Sequence, residues 1–420
     1  MGFGDAGSTM RLMIYSHDTF GLGNIRRILA LCKHLQESCP DISILVVSGS
    51  PMLHSFRIPE EMDYIKLPCL KRSGSGDLKV RTLNIELTDA VKLRSAIIRA
   101  AVENFKPDVL LVDKKPAGLA GELIAGLRHL KVYSPAARIL LVLRDILDRP
   151  ETTINNWKRQ AFYETIELYY DRVLIFGDPR IFDAIKEYQV PEIIQNRVSF
   201  CGYIGRKLEH GDRENLRKKL NVSEREKLVL VTTGGGEDGY HLIETYLTAI
   251  QRKMQAANVR TVVITGPELS ASRREKVREL AHASNSVQLL EFTSQMMRYL
   301  AAADVVVSMA GYNTVCELLS LGKRAVLIPR VAPVEEQLIR AKLLSDRSIF
   351  PMIHPAQLNP ELLMRAVEAQ LDSLDTPLAT DGVVDLNGLE YFTRMVQSWT
   401  DANHSDSPAG MDNHTPVQQA

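Results

Sequence analysis

The chain has 420 residues, which exceeds an ordinary single domain and predicts two. The chain has 51 Lys and Arg residues and 51 Asp and Glu residues, so its formal net charge is zero. No net electrostatic attraction to nucleic acid is therefore expected, and at most a weak peripheral contact with a membrane. The five cysteines lack C-x-x-C spacing, which is typical of reduced thiols in a cytoplasmic protein. No membrane-spanning run and no secretory signal are predicted.

In the first half of the chain, strand-like and helix-like segments alternate. Five short runs rich in leucine or β-branched residues lack polar alternation, a pattern typical of strands buried on both faces of a parallel sheet. These runs are Leu12–Tyr15, Ile42–Val47, Asp108–Val112, Ile139–Leu143 and Arg172–Phe176. Amphipathic helix patterns lie between them, at Ile25–Leu35, Leu87–Phe105 and Gly121–Leu130.

A second series of the same kind follows Cys201. Its predicted strands are Leu228–Thr232, Thr261–Thr265, Val287–Leu290, Val305–Ser308 and Ala325–Ile328. The two series predict an α/β protein with two tandem doubly wound, Rossmann-like domains, at residues 10–205 and 206–375. Residues 1–9 are predicted to be flexible and the polar residues 401–420 to be disordered, while a helix in 376–400 is predicted to pack back on the first domain.

The first predicted strand leads into a candidate site with the sequence SHDTFGLGN. Gly21 and Gly23 allow close backbone approach at the strand-to-helix turn, but Arg26 replaces the third glycine of the dinucleotide fingerprint. His17 and Asp18 follow the strand, where open α/β sheets place their ligands. His17 is therefore a candidate general base oriented by a carboxylate, and a surface histidine beside a turn is the alternative.

Two glycine-containing turns of the second series are candidate phosphate sites. Gly235 and Gly236 lie in the run TTGGGEDG after one strand, and no Gly-Lys-Ser/Thr follows that would make it a P-loop. Gly311 precedes a predicted helix start at Tyr312, where free amides attract phosphate. Glu317, one turn later, is placed to accept from ribose hydroxyls. An ordinary βαβ unit, in which Gly311 only makes the turn, is the alternative.

Other chemistries lack a signal in this sequence. It contains no D-x-D pair, no His/Cys cluster at metal-ligand spacing and no G-x-S-x-G elbow, so no metal site and no hydrolase of that type are predicted. Arg144 and Asp145 close one strand and are either cleft residues or a structural ion pair. The polar loop Lys71–Asp77 is either a ligand-facing loop or a solvated surface loop.

These ordered motifs, from Arg11 to Leu343, resemble those of the GT-B-fold UDP-sugar glycosyltransferases. That family includes the N-acetylglucosaminyltransferases that form lipid II and uncharacterised predicted glycosyltransferases with SHD-x-FGLGH-x-RR near the N-terminus. The resemblance implies two domains facing across a cleft, with the donor on the second and the acceptor on the first. It also implies a metal-independent hexosyl transfer that inverts the anomeric carbon.

The resemblance also implies roles for individual residues. Glu317 would hold the ribose, and Phe292 would lie near the uracil. The helix start that faces the diphosphate would contain Gly311, Asn313 and Thr314, the donor-sugar hydroxyls would meet Glu336 and Gln337, and the interdomain glycine turns would contain Gly21, Gly23 and Gly234–Gly236. Many relatives have histidine where this chain has Asn24, and asparagine cannot accept a proton at neutral pH.

The sequence therefore predicts a cytoplasmic glycosyltransferase that uses a nucleotide-diphosphate sugar, with a UDP-hexose as the expected co-substrate and no cofactor. His17 or Asp18 would deprotonate the acceptor hydroxyl. The acceptor, a glycan, a lipid or a small molecule, is not assigned. A nucleotide-sugar hydrolase or 2-epimerase on the same fold is one alternative. A binding protein without catalysis, for which Asn24 is the only support, is the other.

Overall fold

A computed structural model describes residues 9–17, 23–50, 62–72, 77–208, 211–253, 258–376 and 384–405. The predicted site residues Asp18 and Gly21, and most of the loop Lys71–Asp77, lie outside these ranges. Within the described residues, no helix combines the length and the apolar character needed to cross a bilayer.

The first sheet has seven parallel strands in the order β3-β2-β1-β6-β7-β8-β9. Their bounds are β1 Met10–Ser16, β2 Ile42–Ser48, β3 Met62–Lys66, β6 Val109–Asp113, β7 Arg138–Arg144, β8 Arg172–Phe176 and β9 Val198–Phe200. A separate antiparallel hairpin pairs β4 (Leu70–Arg72) with β5 (Leu78–Val80). The inner strands are buried on both faces, as their unbroken apolar runs predict.

The second sheet has five parallel strands in the order β12-β11-β10-β13-β14. They are β10 Lys227–Thr232, β11 Val259–Ile264, β12 Val287–Leu290, β13 Val305–Ser308 and β14 Arg324–Leu327. Each sheet has apolar clusters on both of its faces. The predicted fold class, two doubly wound α/β units in tandem, is confirmed.

Helices fill the connections between the parallel strands. In the first half they are α1 Gly23–Ser38, α2 Leu87–Phe105, α3 Ile124–Tyr133, α4 Pro150–Arg159, α5 Phe162–Tyr169, α6 Ala184–Glu187 and α7 Glu192–Gln195. In the second half they are α8 Asp212–Lys219, α9 Tyr240–Lys253, α10 Ala271–His282, α11 Met296–Ala302, α12 Tyr312–Ser320, α13 Glu336–Asp346, α14 Pro360–Asp372 and α15 Gly388–Ser405.

Both sheets reverse their strand order at one internal position. In the first sheet this switch point lies between β1 and β6, and in the second it lies between β10 and β13. Ligands of open α/β sheets bind beyond the carboxyl ends of the strands at such a point. A ligand is therefore expected beside the residues that follow β1, β6, β10 and β13.

The chain crosses from the first sheet to the second and later returns. The outgoing and returning segments lie side by side, with an antiparallel bridge between Ile204 and Asn387. The returning segment leads into α15, whose Phe392 and Val396 are buried in the apolar cluster of the first sheet. The aromatic rings of Phe392 and Phe176 lie 6.4 Å apart in an edge-on contact. The exact domain bounds stay a prediction.

Candidate functional site

The start of α12 is the first element of the candidate site. Gly311 is its N-cap residue, no side chain caps the helix, and a Cβ on Gly311 would meet nothing within 4 Å. Space therefore exists beside the amides of the first turn. The Asn313 side chain donates to the carbonyl oxygen of Gly23, the first residue of α1, at 2.8 Å. This contact places the ends of β1 and β13 at the same interdomain boundary.

Glu317 is fully buried at this boundary. Its Oε1 accepts from the Arg26 guanidinium at 2.5 Å, and Arg206 lies 3.7 Å from the same oxygen. Its Oε2 is buried and has no hydrogen-bond partner among the described residues. The ribose-binding role of Glu317 stays a prediction. In the arrangement observed, Arg26 of the first domain donates to one of the two carboxylate oxygens that would accept from the ribose hydroxyls.

The glycine-rich turn after β10 packs against the turn that follows β11. Gly236 has φ of +98°, and a Cβ there would lie 2.2 Å from the carbonyl oxygen of Thr265. The carbonyl of Gly235 accepts from the Glu268 amide at 2.8 Å. Because the two backbones approach so closely, a glycine is required at position 236 whether or not a ligand binds there. Phe292 follows β12 at the same edge of the sheet, and its side chain is 39% exposed. A donor-binding role for these residues stays a prediction.

Glu336 and Gln337 begin α13 and are both buried. Glu336 forms ion pairs with Arg144 at 2.8 Å, Arg330 at 3.3 Å and Arg340 at 3.5 Å. Burial raises the pKa of Glu336, but these arginines outweigh burial and the pKa is lowered. The Gln337 side-chain oxygen accepts from the Arg330 amide at 3.2 Å. The oxygens predicted to meet sugar hydroxyls are therefore partnered by arginines here.

Residues at the carboxyl ends of β1 and β6 form a buried polar cluster with Arg27 of α1. His17 Nδ1 lies 3.0 Å from the carbonyl oxygen of Asp113, so Nδ1 carries the proton and donates. Arg27 pairs with the Asp113 carboxylate at 2.5 Å, and its Nη2 donates to Asn24 at 3.3 Å. Burial lowers the pKa of His17 from 6.5 to about 3, so this imidazole is neutral and weakly basic. Its role as base stays a prediction.

His17 should make the fold sensitive to acid. In the unfolded chain His17 binds a proton near pH 6.5, whereas the folded chain excludes it until the pH nears 3. The stabilising contribution is complete above about pH 6.5 and is lost as the pH falls towards about 3. His17→Asn, whose amide can still donate to Asp113, should reduce the pH dependence of urea unfolding midpoints across that window. The exposed His282→Asn is the control, and equal pH dependence in both variants would contradict the assignment.

Arg144 and Asp145, at the end of β7, do not pair with each other. Arg144 binds Glu336 across the boundary, and Asp145 accepts from Arg340 of α13 at 2.6 and 2.8 Å. The Tyr203 hydroxyl also donates to Asp145, at 3.1 Å. Sequence reasoning overlooked Arg340 and Arg26 as site residues. Arg26 carried a signal, since it stands in the first turn of the helix after β1, but Arg340 lies in mid-helix and carried none.

Among the described residues, no group of three or more His, Cys, Asp or Glu side chains is placed to hold a metal ion. The candidate site is instead rich in arginine and carboxylate pairs that cross the domain boundary. Such pairs suit an anionic ligand with hydroxyl groups, because guanidinium groups bind phosphate and carboxylates accept from hydroxyls.

Comparison with known protein families finds a match within the second half of the chain. Residues 228–382 match the glycosyltransferase family 28 C-terminal domain. Over 83% of its length, the chain is 24% identical to a protein of Acetivibrio thermocellus, of which it covers 86%. That protein is named UDP-N-acetylglucosamine--N-acetylmuramyl-(pentapeptide) pyrophosphoryl-undecaprenol N-acetylglucosamine transferase.

Two solved structures show the same fold at low sequence identity. One is MurG of Acinetobacter baumannii, with a TM-score of 0.59, 14% identity and coverage of 93% of this chain and 99% of that one. The other is a putative UDP-N-acetylglucosamine 2-epimerase of Listeria monocytogenes, with a TM-score of 0.61, 12% identity and coverage of 95% and 98%. The chain therefore has the two-domain GT-B fold and resembles family 28 glycosyltransferases, with the match to their C-terminal domain confined to residues 228–382.

Proposed function

We propose that the protein transfers a hexose from a UDP-sugar to an acceptor hydroxyl, with inversion at the anomeric carbon. One observation carries the proposal: the switch points of both sheets open onto one interdomain boundary, and the second lies within a family 28 C-terminal domain. A donor bound at the second switch point would meet an acceptor bound at the first.

The start of α12 would hold the diphosphate in this proposal. The space beside Gly311 admits a phosphate, and the first-turn amides and the helix dipole favour the charge that develops on the departing UDP. Glu317 would accept from ribose hydroxyls. Arg26 would leave Glu317 and pair with the diphosphate, so that each charged group exchanges one partner for another.

The donor sugar would lie near the start of α13. Glu336 and Gln337 would exchange arginine partners for sugar hydroxyls, and the freed Arg144 and Arg330 would remain beside the anionic donor. The glycine turn at Gly235 and the exposed ring of Phe292 would border the nucleotide.

The proposal also includes a lipid-linked acceptor and a cytoplasmic location. The relative from Acetivibrio thermocellus is named for a lipid-linked sugar acceptor, and we propose an acceptor of that kind as the first to test. The cysteines among the described residues carry free thiols, as expected in a reducing compartment, which supports a cytoplasmic location. Contact with a membrane would then be peripheral and occur where a lipid-linked acceptor is collected.

The donor site is tested by titration calorimetry of the full chain with UDP and with UDP-N-acetylglucosamine, at equal ionic strength. We expect both to bind, because nucleotide and diphosphate supply most of the contacts. Product analysis then follows incubation with and without N-acetylmuramyl-(pentapeptide) pyrophosphoryl-undecaprenol. UDP release that requires the acceptor supports transfer.

Two other results would replace the proposal with a different reaction. Equally fast UDP release without acceptor would indicate hydrolysis, and a new sugar isomer would indicate epimerisation, the activity named for the Listeria monocytogenes structure. If neither UDP nor UDP-N-acetylglucosamine binds, the proposed donor site is wrong.

A further inference from the structure

Two arginines from opposite sides of the domain boundary converge on the Glu336 carboxylate. Arg144 ends β7 of the first sheet and lies 2.8 Å from Oε2, and Arg330 follows β14 of the second sheet and lies 3.3 Å from Oε1. Arg340 lies 3.5 Å from Oε2, but it is already neutralised by its two hydrogen bonds to Asp145. Arg144 and Arg330, here called the arginine pair, therefore share one buried carboxylate.

A second carboxylate contacts the arginine pair more weakly. Asp238, in the glycine-rich turn after β10, lies 3.3 Å from Arg330 Nη1, and its side chain is 40% exposed. Water screens an ion pair at such an exposed position, whereas the Glu336 side chain is only 3% exposed. The buried surroundings of the arginine pair therefore hold more positive than negative charge.

The arginine pair also has hydrogen-bond donors left over. The Nε atoms of Arg144 and Arg330 are buried and have no hydrogen-bond partner among the described residues. Burial lowers the pKa of Arg144 even though Glu336 opposes this effect, so the nearby carboxylate does not fully compensate the guanidinium charge. A further anion would do so, and a carboxylate suits the position because it accepts two N–H donors of a planar guanidinium group at once.

Binding of the donor sugar in the way proposed above increases this excess of positive charge. Glu336 would exchange its arginine partners for sugar hydroxyls, which carry no charge. Gln337 Oε1 accepts from the Arg330 amide at 3.2 Å, so a sugar held by Gln337 would lie beside the arginine pair. A neutral hexose would then leave two guanidinium groups poorly compensated in a largely buried site, which is costly.

We infer that the donor sugar carries a carboxylate and that the arginine pair binds it. The donor is then a UDP-hexuronate, in which a carboxylate replaces the hydroxymethyl group of the hexose. The diphosphate does not require the arginine pair, because the first turn of α12 and Arg26 are proposed to hold it. This inference rests on the proposed function and specifies the class of its donor.

Titration calorimetry of the full chain with UDP, UDP-glucose and UDP-glucuronate, at one ionic strength, tests the inference. The two UDP-sugars differ only in the group at C6, so the ratio of their affinities reports recognition of the carboxylate. We expect UDP-glucuronate to bind at least about 10-fold more tightly than UDP-glucose, because hydrogen bonds between charged groups are stronger than neutral ones. UDP-galacturonate and UDP-galactose repeat the comparison with the other configuration at C4.

Three variants assign this preference to the arginine pair. Arg330→Met should bring the affinity ratio close to one and change UDP binding by less than about threefold. Asp238→Asn should raise the ratio by about two- to threefold, because it removes the exposed carboxylate that competes for Arg330. Arg278→Met is the control: it removes an arginine of the same domain whose side chain is 50% exposed, and the three affinities should stay unchanged.

The possible outcomes separate the inference from the proposed function. Equal affinity for the two UDP-sugars, or tighter binding of UDP-glucose, would overturn the inference while binding of UDP supports the donor site. If Arg330→Met weakens UDP binding as much as UDP-glucuronate binding, the arginine pair serves the diphosphate and the inference is wrong. A wild type that binds none of the three ligands would overturn the proposed function as well. If Arg330→Met does not fold, the wild-type ratio and the increase in Asp238→Asn still decide.

Discussion

Arg340→Met should lower the free energy of unfolding by about 3–5 kcal/mol, because it leaves a buried carboxylate without its cation. Arg340 is completely buried, and two of its nitrogens donate to Asp145 at 2.6 and 2.8 Å. A third donates to the Ala310 carbonyl at 2.9 Å. Methionine supplies none of these donors. Of the described residues that donate to the Asp145 carboxylate, Tyr203 alone would remain.

The loss should appear as a lower midpoint in thermal and urea unfolding. Lys342→Met, at an exposed position of the same helix, is the control, and its effect should stay within about 0.5 kcal/mol. The double variant Asp145→Leu with Arg340→Met removes both charges, so it should be more stable than Arg340→Met alone. Equal midpoints for Arg340→Met and Lys342→Met would refute this view of the domain boundary.

Glu317→Gln should weaken UDP binding by about 10- to 100-fold, because a hydrogen bond to a charged group contributes about 1.5–3 kcal/mol. Glutamine has nearly the same shape and keeps one acceptor oxygen, so the change is mainly one of charge. Calorimetry with UDP gives the affinity directly. The same titration with inorganic diphosphate, which lacks the ribose, should be affected far less.

The variant Arg26→Met distinguishes two roles of Glu317, ribose binding and a purely structural ion pair with Arg26. It removes the cation that lies 2.5 Å from the Glu317 carboxylate and leaves that carboxylate for ribose. If Glu317 binds ribose while Arg26 binds the diphosphate, Glu317→Gln should weaken binding of UDP but hardly that of inorganic diphosphate, whereas Arg26→Met should weaken both. If Glu317 only holds the domains together through Arg26, the two variants should weaken binding of both ligands alike, and the ribose role would be wrong.

The buried parallel strands were predictable because their sequence pattern is local. Strands such as Val305–Ser308 are apolar on both faces and end at recognisable turns. The strands β3 and β9 were missed, because they lie at the outer edges of the first sheet. Edge strands are buried less: the side chains of β3 are mostly exposed, and β9 has only three residues, so neither shows a continuous apolar run.

The first-domain partners of the site carboxylates were not predictable. The sequence placed Glu317 and Glu336 beside helix starts, but their partners Arg26 and Arg144 come from the other domain, whereas Arg330 and Arg340 lie close to Glu336 in the sequence. Asp145 and Arg340 are separated by 195 residues, and nothing local in the chain marks them as a pair. Arg144 and Asp145, adjacent in sequence, even bind different residues of α13.

The sequence by itself determined the fold class, the tandem order of the two sheets and the resemblance to UDP-sugar glycosyltransferases, because apolar periodicity and turn residues act over short distances. Only the tertiary structure decided that His17 is buried against Asp113 and that arginines pair with the predicted donor carboxylates. Burial and ion pairing depend on which distant segments meet. These two properties set the charge state of each group, and so they decide which residue can act as a base.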